Sequence, residues 1–128
     1  MAKLGANSGW AEGYVETITE SQTLSYADSG KVFLVGTDEL TITLPPTQAG
    51  VRYTFVNSGD DDAVLITVDP DDSDAIIGTI AAVSMSASDG GALTNTKSGA
   101  NKGDWVTIVG DGNEGWYITG GDGGWAGA

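Results

Sequence analysis

The sequence predicts an all-β domain, an antiparallel sandwich or tulip-like barrel of short strands behind an extended N-terminal arm. Three observations carry that expectation. No window of ten or more residues spaces its apolar positions as a helix would. Segments rich in β-branched and aromatic residues recur at intervals of about ten residues, separated by Gly- and Asp-rich turns. Glycine is abundant, with 20 residues against three prolines, which suits many turns and few long helices. The 128 residues suffice for one domain, read as residues 14–128 with a Gly-rich tail, behind an arm at 1–13.

The arm, with Gly5, Gly9 and Gly13 around Trp10, follows neither period. YVETI (14–18) alternates, and QTLSY (22–26) offers Leu24 and Tyr26 to one side. After the turn ADSG, KVFLV (31–35) is a continuous apolar run, which predicts a strand buried on both faces. LTITL (40–44) alternates strictly and ends at Pro45 and Pro46, neither of which can donate to a ladder. VRYTFV (51–56) sets Val51, Tyr53 and Phe55 on one face, and AVLITV (63–68) is again densely apolar. AIIGTI (75–80) and AVSMSAS (82–88) follow the acidic stretch DPDDSD. In the polar run 89–104 only Leu93 offers an anchor. WVTIV (105–109) and WYIT (116–119) flank GDGNEG as a hairpin with a six-residue loop. The expectation is about eight to ten strands, paired antiparallel because no connection carries a crossover helix.

Composition removes several functions. Five basic residues against eighteen acidic ones give a formal net charge of −13. Lys3, Lys31, Arg52, Lys97 and Lys102 are too few and too scattered to form the basic patch that nucleic acid needs, and anionic membranes are disfavoured for the same reason. Cysteine and histidine are both absent, so there is neither thiolate chemistry nor the commonest general base and metal ligand. The first residues lack the apolar region of a secretory signal, and AIIGTIAAV is too short to span a bilayer. Synthesis and assembly in a cytoplasm are expected.

No catalytic constellation emerges. Asp69, Asp71 and Ser73 fit the first three ligand positions of an EF-hand loop, but Asp74 stands where glycine is required and Ile80 where the bidentate glutamate would be. Aspartates capping solvated turns are the expected reading there. Eighteen acids bring some carboxyl pair together by chance, so a glycosidase pair has no specific signal. GDGNEG and GGDGG do not match a phosphate loop and carry aspartates that would repel one. The sequence therefore predicts no enzyme, no cofactor and no metal. Phe33, Leu44, Tyr53, Phe55, Trp105 and Trp116 are the expected core. Trp10, Tyr14 and Trp125, in or beside Gly-rich termini, are expected at a capsid or subunit interface.

Two stretches resemble a known family. TLSYADSGKVFLVGTDELTITLPPTQAGVRYTFV (23–56) resembles the opening module of small structural proteins of tailed bacteriophages, and GDWVTIVGDGNEGWYITGGDGGWA (103–126) resembles the closing one. The resemblance implies a capsid decoration (cement) protein. Such a protein would be a β-sandwich or β-tulip on the exterior of the virion head, commonly a homotrimer, clamping neighbouring subunits of the major capsid protein. Residues 57–102 show no matching pattern. The rival expectation is a tail-fibre or receptor-binding module whose aspartate and tryptophan loops face a host-surface glycan. A calcium-dependent carbohydrate-binding module is a further rival.

Overall fold

The computed structural model describes residues 14–86 and 88–128; the arm with Trp10, and Ala87, lie outside them. The described residues contain thirteen short strands. They are β1 (Val15–Ile18), β2 (Gln22–Thr23), β3 (Val32–Val35), β4 (Leu40–Thr43), β5 (Arg52–Asn57), β6 (Ile66–Asp69) and β7 (Ala75–Ile77). Then come β8 (Thr79–Ile80), β9 (Val83–Ser84), β10 (Leu93–Asn95), β11 (Trp105–Gly110), β12 (Gly115–Asp122) and β13 (Trp125–Gly127). The all-β expectation holds, and almost every apolar segment read from the sequence is a strand. The excess over the expected number has local causes. AIIGTI breaks at Gly78, whose φ of 145° interrupts the pleat, Leu93 anchors β10 within the polar run, and the tryptophan-bearing tail pairs as β13.

Two sheets face each other. One has six strands in the order β1-β3-β5-β11-β12-β7, and the other has five in the order β13-β10-β6-β4-β2. A small β8–β9 hairpin completes the set. The expected uniform antiparallel pairing is corrected here: five pairings are parallel and five antiparallel. From β1 to β7 the chain alternates between the sheets, so β1, β3 and β5 run parallel in one while β2, β4 and β6 run parallel in the other. Parallel neighbours need a connection of about a dozen residues or more. Here a strand of the opposite sheet serves as that connection, and no helix is required.

Alternation then builds the core. Phe33 and Val35, Ile42, Tyr53 and Phe55, Ile66 and Val68, Val106 and Ile108 all point between the sheets and are buried. Phe33 stacks on Phe55 at 5.7 Å between ring centroids, and Tyr53 meets Trp116 at 5.5 Å. The Tyr53 hydroxyl donates to the Ser25 carbonyl at 2.7 Å, and burial pushes its pKa up to about 12. Leu44 closes this core as expected.

Backbones approach closely at the β12–β7 contact. At Gly115 φ is 147°, and an ideal Cβ would lie 2.0 Å from the Ala75 carbonyl oxygen. At Gly50 φ is 86° and nothing lies within 4 Å of such a Cβ. Gly115→Ala is therefore expected to cost about 3 kcal/mol or more, and Gly50→Ala about 1 kcal/mol of left-handed strain. Urea unfolding of the two variants checks this; equal losses would contradict the backbone contact.

Candidate docking surface

The structure redistributes the tryptophans. Trp116 is fully buried, as expected, with its indole N–H lacking a partner among the described residues. The other two described tryptophans exchange the places expected of them. Trp105 is 38% exposed and leaves the core, whereas Trp125 is 5% exposed and joins it. Period two explains the first: Val106 and Ile108 point inward, so Trp105 and Thr107 must point outward. Pairing explains the second. Trp125 lies opposite Asn95 as β13 extends the five-stranded sheet, and its Nε1–H donates to the Asp122 carbonyl at 3.1 Å. Trp125 is thus core rather than interface. Tyr14 is exposed at the entry to β1, and the expectation for Trp10 lies outside the described residues.

The β3 run is likewise not buried on both faces. Val32 and Leu34 lie half-buried on the outside, with none of the described strands covering them. Register places their neighbours. One outer row runs Thr17, Leu34, Val56, Trp105 and Asp122 across β1, β3, β5, β11 and β12. The next runs Val15, Val32, Thr54, Thr107 and Gly120. The third runs Arg52, Val109, Tyr117 and Ile77. This face is built of valine, threonine, leucine, isoleucine and two large aromatics, with Arg52 and Asp122 as its charges. The Thr54 and Thr107 hydroxyls hydrogen-bond each other at 2.8 Å across β5 and β11. On a chain with eighteen acids, a six-stranded face with one carboxylate is a strong segregation of charge.

A bulge shapes it. Thr119 and Gly120 together oppose Thr107, and an ideal Cβ on Gly120 would lie 3.0 Å from Trp105 Cη2. The indole therefore lies flat over the glycine. Sequence reasoning missed this surface. Its signal was the absence of charge at alternate positions of KVFLV and WVTIV, which resembles burial on both faces when read without the pairing.

The carboxylates lie elsewhere, in the loops. Asp111 accepts N–H bonds from Asn113, Gly115 and Glu114 at 2.8, 2.9 and 3.2 Å. That turn spans four residues between β11 and β12 rather than the expected six. These bonds, from Gly115 first, hold Asp111 below the usual carboxylate range. Asp71 is lowered by the Ser73 N–H and hydroxyl, which it accepts at 3.2 and 2.8 Å, so it caps a turn as the sequence suggested. Asp38 is lowered by its bond from Lys97, with help from the Leu65 N–H. Asp74 goes the other way. It is buried, and burial raises its pKa despite the Thr47 N–H it accepts at 2.7 Å, with Asp71, Asp111 and Asp89 adding like charge. No group of three or more carboxylates among the described residues is placed to share a metal ion, and the described surface has no pocket. Comparison with family models and with curated proteins finds no match.

The opposed shifts predict a pH profile. Asp74 binds its proton more tightly folded than unfolded, so stability rises as pH falls towards the ordinary aspartate value of 3.8. Asp38, Asp71 and Asp111 bind theirs less tightly folded, so their contribution is lost as pH falls further, below about 3.8. Thermal melting should show greatest stability in mild acid. Asp74→Asn, which keeps an acceptor for Thr47, should raise the melting temperature at neutral pH and flatten the mild-acid rise. An unchanged profile in that variant would refute the assignment.

Proposed function

We propose that the protein is a virion structural protein that decorates and stabilises a phage capsid by clamping neighbouring major capsid protein subunits. The observation that carries this reading is the sparsely charged outer face of the six-stranded sheet on a chain of net charge −13. Such a surface suits docking against protein. The two stretches that carry the family resemblance support it further, because they meet in space. They supply β3, β5, β11 and β12, four adjacent strands of that one sheet, while residues 57–102 supply β6 and β10 of the other.

The mechanism is multivalent. Each contact to the shell is modest, and several copies held together engage neighbouring subunits at once, which raises the apparent affinity by orders of magnitude without new contacts. The acidic loops keep free copies soluble and apart. Packaged DNA pushes shell subunits outward, and a clamp bridging two of them shares that load. Purified protein mixed with undecorated phage heads should co-sediment saturably, at a fixed stoichiometry per capsomer, and decorated heads should withstand a higher temperature than bare ones. Sedimentation with host cells instead of heads would replace this reading with the tail-fibre one.

A further inference from the structure

We infer that the outer face of the six-stranded sheet is the contact between two copies of this chain, packed face to face about a two-fold axis near Thr107. The inference concerns the purified chain, free of any shell; docking on a capsid through this face would exchange the contact between copies for one with the shell.

Charge selects the partner. Lys31, Lys97 and Lys102 each pair with carboxylates of their own chain. Among the described residues Arg52 is the one cation with no carboxylate within 4.0 Å, and it stands on the uncharged face. The face's other charge, Asp122, is also exposed. Register puts the two at opposite corners around Thr107. Arg52 lies beside Val109 on the β5 side, and Asp122 lies beside Trp105 on the β12 side. A two-fold axis lying in the face through Thr107 brings Arg52 of each copy to Asp122 of the other. The contact thus complements itself in charge as well as in apolar character, as an isologous interface must. Approach through the loops at the strand ends would bring this face towards carboxylates. Pairing it with the outer face of the five-stranded sheet, on the opposite side of the sandwich, would give an open stack that never closes.

Size sets the strength. Six strands about 4.8 Å apart and three rows of side chains give a footprint of roughly 400 Å² per copy. With side-chain relief the pair buries roughly 1,000 Å², near the lower limit for a specific interface, so the dimer is a reversible one. Its symmetry is two-fold, where the family resemblance implies three-fold.

Sedimentation equilibrium of the full chain across a concentration series tests this. The expected result is a monomer–dimer equilibrium. Arg52→Asp should weaken the dimer at least about tenfold, and adding Asp122→Arg to it should recover most of that loss, because the pair is exchanged rather than removed. Val109→Lys should abolish the dimer. All three positions point to solvent, and circular dichroism with thermal melting confirms that each variant is folded. A monomer at every concentration, a trimer, a dimer indifferent to Arg52→Asp, or a loss that the charge exchange fails to restore would each overturn the inference.

Discussion

Asp104 Oδ2 accepts three hydrogen bonds, from Asn95 Nδ2 at 3.1 Å, the Asn101 N–H at 2.9 Å and the Gly124 N–H at 3.2 Å. The amide of Asn57 donates onward to Asn95 Oδ1 at 2.7 Å and to the Val64 carbonyl at 3.3 Å. All three side chains are buried. This chain of polar groups runs from β5 in one sheet to β10 in the other, and it holds the residues that lead into β11 and β13. An apolar core fixes the distance between two sheets but tolerates sliding; a satisfied buried network does not, since a slip would leave its donors and acceptors unpaired at a cost of about 1–3 kcal/mol each. The approach at Gly123 shows how closely the backbone is drawn in, because an ideal Cβ there would lie 2.1 Å from Asp104 Cγ. With Asp104 held inside, Trp105 must begin β11 pointing out. The docking face thus inherits its largest side chain from a buried carboxylate.

Much of the fold was legible because short-range rules decided it. LTITL and VRYTFV alternate as half-buried strands should, and Pro45 follows directly where β4 pairing ends. What escaped was information held only in pairing. Nothing in WVTIV says which parity faces the core, so a tryptophan was assigned inward on size, whereas Val106 and Ile108 hold the inward positions. Glycine-rich surroundings suggest an interface for Trp125, yet those glycines let β13 approach closely enough to bury it in its own core. An ideal Cβ on Gly127 would lie 2.0 Å from the Met85 carbonyl oxygen. The parallel topology escaped for a related reason. A connection that crosses through a facing sheet looks, residue by residue, like any hairpin partner.

The acids are distributed according to the same geometry. Strand positions facing inward cannot hold an ionised carboxylate without partners, and those on the outer face of the six-stranded sheet are nearly free of them. The loops at both ends of the strands carry the remainder, where backbone N–H groups and a few lysines absorb them. Lys31 bridges Glu16 at 3.1 Å and Asp28 at 2.8 Å, close to the first strand of the six-stranded sheet. Burial opposes the effect at Asp28, but Lys31 and the Ser25 N–H hold its carboxyl low. At Asp74 burial raises the carboxyl's pKa, and Asp71, Asp111 and Asp89 nearby add to it.

Flatness is the property of the docking face that needs a cause. An exposed indole normally protrudes, and a protruding side chain on a self-complementary surface meets its own copy and holds the two sheets apart. The bulge at Thr119–Gly120 removes that obstacle by offering a glycine where a side chain would stand, so the indole of Trp105 lies down along the sheet. The apolar area it contributes is then retained without its height. A chain of net charge −13 repels its copies from every direction, and repulsion falls where carboxylates are fewest. A nearly uncharged face bordered by acidic loops therefore lowers repulsion along its own approach, so the acidity that keeps the protein dispersed also favours orientations that bring such faces together.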